Sequence, residues 1–97
     1  MKIAGLQEVN EFSARHARAQ KPLKAWVTVA REAECKTFAE LKATLGSVDK
    51  VGDLYVFNVG GNKYRVLARV TLALGLVRIH GIYTHDEYDK LDIKRLE

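Results

Sequence analysis

The run Leu54-Tyr55-Val56-Phe57-Asn58-Val59-Gly60-Gly61-Asn62-Lys63-Tyr64-Arg65-Val66-Leu67-Ala68-Arg69-Val70 reads as two strands joined by a turn. Residues 54–59 are rich in aromatic and β-branched side chains, which suit a pleated, half-buried surface. Gly60-Gly61-Asn62 is the turn signal. From residue 63 to 72 the pattern has period two. Tyr64, Val66, Ala68, Val70 and Leu72 fall on one face, and Lys63, Arg65, Leu67 and Arg69 on the other. Gly75 marks a second turn, and residues 76–83 read as a third strand. Simple alternation there puts Val77, Ile79 and Gly81 on one face and Arg78 and His80 on the other. Hairpin succession predicts a small, mainly antiparallel sheet, with helices on one face and the polar face left open.

Upstream the period becomes helical. Leu6, Val9 and Phe12 recur at helical spacing and predict a helix reaching residue 20. Pro22 suits the first turn of a second helix, in which Leu23, Trp26, Val27 and Ala30 follow at i, i+3, i+4 and i+7. Thr37-Phe38-Ala39-Glu40 is a capping-box pattern opening a short third helix with Phe38, Leu41 and Leu45, which Gly46 ends. Residues 1–5 read as a short first strand. Thr84-His85-Asp86-Glu87 is a second capping-box pattern, opening a last helix to about residue 91. The order β-α-α-α-β-β-β-α predicts an α+β fold, with residues 1–97 as one domain.

Composition narrows the class. A chain of 97 residues holds one modest core, and a hydrophobic fraction of 47% is that of a folded protein. No run reaches the roughly 18 apolar residues of a membrane span, and residues 1–10 lack the apolar core of a signal peptide. The expected location is the cytoplasm. Cys35 stands alone in a polar stretch, which excludes an internal disulfide and a thiolate metal site. Residues 1–84 carry 13 Lys/Arg against 7 Asp/Glu, and residues 85–97 carry 3 against 5. A basic body suits a polyanionic partner, although many small basic proteins bind none.

Two constellations could carry chemistry. Lys63, Arg65 and Arg69 share a strand face, and Arg78 and His80 join them if the second and third strands pair. A bound phosphodiester would relieve the repulsion among these cations; the alternative is a solvated, Arg-decorated face. In the segment 84–89, Thr84 as N-cap places His85 at the first helical position, facing Tyr88 and Asp89 three and four positions on. Histidine shuttles protons near neutrality, and tyrosine donates one or holds a phosphate oxygen. Simple packing of His85 and Tyr88 against the sheet is the other reading. Asp86 and Glu87 fit capping and the helix dipole rather than an anion site. His85 and Asp89 alone supply too few ligands for a closed metal site. No phosphate-binding glycine loop, zinc motif or nucleophile elbow is present.

The block Val56-Phe57-Asn58-Val59-Gly60-Gly61-Asn62-Lys63-Tyr64-Arg65-Val66, followed by Thr84-His85-Asp86-Glu87-Tyr88-Asp89, resembles the HigB family of mRNA interferases. Members of that family show a Phe-Asn-[Ile/Val]-x-Gly-Asn-[Lys/x]-x-Arg block and then, some twenty residues later, Thr-His-x-x-Tyr-Asp. Phe12, His16, Leu23 and Trp26 extend the likeness over nearly the whole chain. Val48-Asp49-Lys50-Val51-Gly52-Asp53 departs from it and is read as a shortened loop. The resemblance implies a RelE-like fold and a ribonuclease that cuts mRNA and slows growth. It also implies a helix-turn-helix antitoxin as partner, with operator DNA as the target of the toxin–antitoxin complex. Whether cleavage occurs on the ribosome stays open. Carried over by motif, the site comprises Asn62, Lys63 and Arg65 from the first block and His85, Tyr88 and Asp89 from the second.

The expected reaction is metal-free attack of the ribose 2′-OH on the adjacent phosphorus, with no cofactor. It needs a base, an acid and cations on the phosphate. Arg65, His85 and Tyr88 are expected to be catalytic, with Asn62, Lys63, Arg69, Arg78 and Asp89 in contact with RNA. Two rivals remain: a ParE-like toxin that acts on DNA gyrase without ribonuclease chemistry, and an RNA- or protein-binding module without catalysis. Stacking aromatics expected of such a module are lacking if Tyr55, Phe57 and Tyr64 are core residues.

Overall fold

The computed structural model describes residues 1–91. Strand β1 (Lys2–Ala4) leads into α1 (Leu6–Arg15), α2 (Gln20–Glu32) and α3 (Phe38–Leu45). Strands β2 (Val48–Val51), β3 (Leu54–Val59), β4 (Tyr64–Thr71) and β5 (Leu76–Thr84) follow, and α4 (His85–Asp89) closes the described chain. Among the described residues, five strands form one sheet in the order β1-β5-β4-β3-β2. Every neighbouring pair is antiparallel except β1 with β5, which is parallel. A parallel pair needs a crossover, and the three helices between β1 and β2 belong to it. This is the α+β architecture expected. No helix among the described residues is long and apolar enough to cross a membrane.

The main core lies between the helices and one sheet face. Leu23, Trp26, Val27 and Ala30 of α2 are all buried, as their spacing requires. Trp26 meets Phe57 of β3 edge-on with ring centroids 5.2 Å apart. Phe12 of α1 meets Tyr64 of β4 in the same way at 5.8 Å. Burying each large apolar side chain contributes about 1.5–3 kcal/mol, so these pairs fix the helices on the sheet. Tyr55, Phe57 and Tyr64 are at most 8% exposed, which makes them core residues unable to stack on bases.

Four local expectations need correction. Helix α1 stops at Arg15 rather than at residue 20. His16 leaves helical geometry with φ −131° and ψ 85°, and a 3₁₀ turn at Ala17–Ala19 redirects the chain into α2. Its ring stacks on Phe12 at 4.3 Å, which anchors the corner. Residues 48–51 form an edge strand, not a loop, because Gly52 and Asp53 close a tight hairpin onto β3. Third, β5 does not alternate strictly. Leu67 pairs with Gly81 and Ala68 with Ile79, so His80 is the extra residue of a bulge. The bulge brings Gly81 onto the outer face beside Tyr83 and returns Ile82 to the core side opposite Val66. Finally, the open face is not wholly polar. Leu54, Val56 and Leu67 form a second apolar cluster there, packed by Tyr83 and Tyr88.

Candidate active site

The site lies where β4, β5 and α4 meet on the outer face. Thr84 caps α4 through a complete capping box. Its hydroxyl accepts the Glu87 N–H at 3.2 Å, and its own N–H donates to the Glu87 carboxylate at 2.9 Å. That last hydrogen bond is the main reason the Glu87 carboxyl sits below its ordinary value, with Arg15 and His16 adding a smaller effect. The His85 N–H donates to the Lys63 carbonyl at 2.9 Å, which ties the first residue of α4 to the β3–β4 loop. At the other end, Tyr88 anchors the helix in the apolar cluster of Leu54, Val56 and Leu67.

These anchors bring the two sequence blocks together. Arg65 stands on the outer face, as its position between Tyr64 and Val66 predicts. Its Nη1 donates to the carbonyls of Asn62 at 3.0 Å and Tyr64 at 3.3 Å, which fixes the guanidinium plane. Nη2 lies 3.3 Å from Nδ1 of His85. Arginine has no acceptor, so Nδ1 accepts this bond and the neutral ring carries its hydrogen on Nε2. Nε2 in turn faces the Asp89 carboxylate at 3.7 Å, with both side chains more than half exposed. Cζ of Arg65 sits 5.8 Å from the centroid of the Tyr88 ring. Burial pushes the Tyr88 phenol above its ordinary value; Arg65 opposes this, and Asp49 and Asp89 reinforce it. Tyr88 therefore stays a phenol, and a proton donor, throughout the neutral range.

Asn62 and Lys63 lie beside this cluster. Together with Tyr64, Thr84, His85 and Asp86 they line a shallow depression of about 390 Å³. Asn62 also contributes its carbonyl to Arg65, a backbone role that the motif does not reveal. Arg69 and Arg78 stand elsewhere. They are exposed and directly opposite each other across β4 and β5. Arg69 is four residues beyond Arg65, about 13 Å along the strand. They form a second cationic patch on the same face, with the exposed His80 of the bulge two residues beyond Arg78 in the chain.

One neighbour escaped the sequence reading. Tyr83 is the strand partner of Arg65. Its ring covers Gly81, where a side-chain carbon would come within 2.5 Å of the Tyr83 hydroxyl. A glycine at 81 thus lets this tyrosine lie flat on the sheet beside the site. Burial raises its phenol above the ordinary value, and Glu8 and Glu87 raise it further. The signal was the glycine inside a strand pattern, a known mark of a bulge.

The cluster combines a fixed cation, a ring that can carry a proton and a protonated phenol on an exposed face. Such a set can hold a phosphate and move protons around it. Among the described residues no three His, Cys, Asp or Glu side chains gather as a metal-ligand group.

Comparison with known proteins gives the same direction. Three curated relatives are each 46% identical over 52 residues: the mRNA interferase toxin HigB of Escherichia coli strain K12, and the mRNA interferases HigB of Escherichia coli O157:H7 and Shigella flexneri. Each match takes in 50% of this chain and 50% of the relative, so the chain spans about half the length of the curated relatives it matches. A family model described as HigB_toxin, the RelE-like toxic component of a toxin–antitoxin system, matches residues 19–91, a span that holds β4, β5 and α4 entire. The chain belongs to the HigB toxin family of RelE-like toxic components.

Proposed function

We propose that this protein is an mRNA interferase, a toxin that cleaves mRNA, slows translation and growth, and is held in check by an antitoxin. The observation that carries the reading is the 3.3 Å contact between Arg65 Nη2 and His85 Nδ1, with Tyr88 beneath the guanidinium. It joins a phosphate-binding cation to two proton-carrying groups. The names of the relatives agree with it.

The reaction runs without a metal. Arg65 takes the scissile phosphate on the guanidinium hydrogens not engaged by Asn62 and Tyr64. Contact with the phosphate competes with the Nη2–Nδ1 bond and frees the Nδ1 lone pair. Nδ1 of His85 then accepts the proton of the ribose 2′-OH, whose oxygen attacks the phosphorus. The P–O5′ bond breaks, leaving a 2′,3′-cyclic phosphate, and Tyr88 gives its proton to the departing 5′ oxygen. Asp89 orients the His85 ring from the Nε2 side and supports its positive form. Arg65 and Lys63 offset the charge that develops on the phosphoryl oxygens. Because the 2′-OH is the nucleophile, the substrate is RNA and not DNA. Arg69 and Arg78 hold phosphates farther along the strand.

The test is direct. Purified protein is incubated with a 5′-labelled mRNA, with and without translating ribosomes, and the product ends are identified. The reading requires cleavage in at least one condition, leaving 2′,3′-cyclic phosphate or its opened product. Intact mRNA in both conditions, or a DNA substrate cut equally well, contradicts it.

A further inference from the structure

Position 81 is a glycine because of its neighbour, not because of its backbone. Its φ lies outside the left-handed region that the turn glycines occupy, so the main chain there suits any residue. What excludes a side chain is the Tyr83 ring. A Cβ at position 81 would lie 2.5 Å from the Tyr83 hydroxyl oxygen, 2.9 Å from Cζ and 3.0 Å from Cε2. A glycine inside a strand weakens it and marks close approach of another group, which here is this ring. Gly81 is buried while Tyr83 stays half-buried, so the ring face left to solvent is the one turned away from the sheet.

The ring also lies on the path between the two cationic patches. Tyr83 pairs with Arg65 across β4 and β5, and its hydroxyl end reaches back over Gly81, towards the opposed Arg69 and Arg78. A strand with one phosphate on Arg65 and another on the Arg69–Arg78 patch, about 13 Å along, carries the intervening base past this ring. Tyr55, Phe57 and Tyr64 are core residues and Tyr88 is engaged by the Arg65 guanidinium. Among the described residues of the outer face, that leaves Tyr83 as the aromatic available to a base. Glu8 and Glu87 act on its phenol, and their negative charge disfavours a phosphate at the hydroxyl. The ring therefore suits a base rather than the backbone.

We propose that Tyr83 is the platform on which the substrate stacks a nucleobase adjacent to the scissile phosphate. The proposal deepens the reading above and rests on its RNA-binding half, because a phosphate on Arg65 is what delivers the base. Such a contact is sequence-tolerant, since every base has a π-face. The competing role is a roof over the apolar cluster of Leu54, Val56 and Leu67, which a leucine at position 83 would serve as well.

The probe is a short single-stranded 2′-deoxy oligonucleotide, which lacks the nucleophile and stays intact, compared with the same backbone built of abasic sugars. Both are titrated against the full protein by fluorescence anisotropy over a range of salt. Tyr83→Leu keeps an apolar roof without the π-face, Tyr83→Phe keeps the face without the hydroxyl, and Gly81→Ala pushes the ring off its seat. The wild type is expected to prefer the base-bearing strand by roughly five- to 150-fold. Tyr83→Leu loses most of that preference and keeps its melting temperature and salt slope, because the phosphate contacts remain. Gly81→Ala loses part of it with the tyrosine still present, and reads the same quantity should the leucine variant fail to fold. Tyr83→Phe keeps the preference within about threefold. In mRNA cleavage, under whichever condition supports it, Tyr83→Leu raises KM by the same factor with kcat within about threefold, as for a contact made equally before and during reaction.

No preference for bases in the wild type overturns the platform. So does a preference left intact by both Tyr83→Leu and Gly81→Ala, or lost equally in Tyr83→Phe. A lowered melting temperature with the preference intact makes Tyr83 a roof alone. Cleavage by the wild type with a KM untouched by Tyr83→Leu contradicts only the platform. A base preference that depends on Tyr83, in a protein that does not cut RNA, contradicts only the ribonuclease chemistry.

Discussion

Replacing Arg65 with alanine is expected to abolish most cleavage while leaving the fold intact. Arg65 makes three donor contacts, to the Asn62 and Tyr64 carbonyls and to His85 Nδ1, and lies over the Tyr88 ring. The contacts to Asn62 and His85 are exposed and the one to Tyr64 part-buried, so water replaces most of them in the variant. Net hydrogen bonds are worth about 0.5–1.5 kcal/mol each, and exposed ones less; an exposed cation–π contact adds about 0.5–1 kcal/mol. The whole loss is about 1–2 kcal/mol, or roughly 4–15 °C in Tm for a domain of this size. Typical domain stability of about 5–15 kcal/mol leaves such a variant almost fully folded. The chemical loss is larger. Removing one preorganised donor from a developing oxyanion costs about 10²–10³ in rate. Arg65→Lys keeps the charge without the fork that spans Asn62, Tyr64 and His85, so it recovers only part of the rate. Thermal melting and single-turnover cleavage of the same samples separate the two effects. A folded Arg65→Ala protein cutting within threefold of wild type refutes the role given to Arg65.

Three more outcomes follow from the geometry. Thr84→Ala removes the hydroxyl that accepts the Glu87 N–H, so it is expected to cost about 1 kcal/mol of stability, with cleavage falling because His85 loses its seat; an unchanged Tm and rate contradict the capping role. Glu87 is held below its ordinary value of 4.5 by the Thr84 N–H, so its stabilisation is present above pH 4.5 and is lost as pH falls through the lower folded value. Glu87→Gln is therefore expected to flatten the acid limb of the stability–pH curve, and an acid limb identical to wild type opposes this. Cleavage of naked mRNA, or of ribosome-bound mRNA with magnesium held constant for the ribosome, is expected to persist when a chelator removes transition metals; loss of activity restored by zinc or manganese overturns the metal-free mechanism.

Much of the fold was legible because its signals are local and periodic. The α2 face at Leu23, Trp26, Val27 and Ala30, both helix caps at Thr37 and Thr84, and the β3–β4 hairpin all follow from spacing and turn chemistry. Strand β2 was missed because four residues, only two of them apolar, carry too little pattern; its partner β3 supplies the order. The bulge at His80 was invisible to alternation, since an extra residue breaks the period without changing composition. For the site, the two sequence blocks located Arg65, His85, Tyr88 and Asp89, which the fold brings within contact of one another. Their mutual geometry depends on long-range pairing, such as the bond from His85 to Lys63, and no local pattern reports it. The same pairing separates Arg69 and Arg78 from the cluster, although all four arginine and lysine positions on the strand face looked equivalent in sequence.

The central claim is that His85 accepts the proton of the ribose 2′-OH beside a phosphate held by Arg65. The measurement that tests it most directly is single-turnover cleavage by His85→Gln, taken beside RNA affinity and thermal melting. Gln keeps much of the size and hydrogen-bonding capacity of histidine but cannot act as the base that accepts that proton. General acid–base catalysis contributes roughly 10²–10⁴-fold, so the rate should fall by about that factor. Affinity, which rests on the cations, should stay within a few-fold of wild type, and melting should move little because the His85 side chain is half exposed. A lowered melting temperature with an unchanged rate per folded molecule would contradict the claim and leave His85 a packing residue.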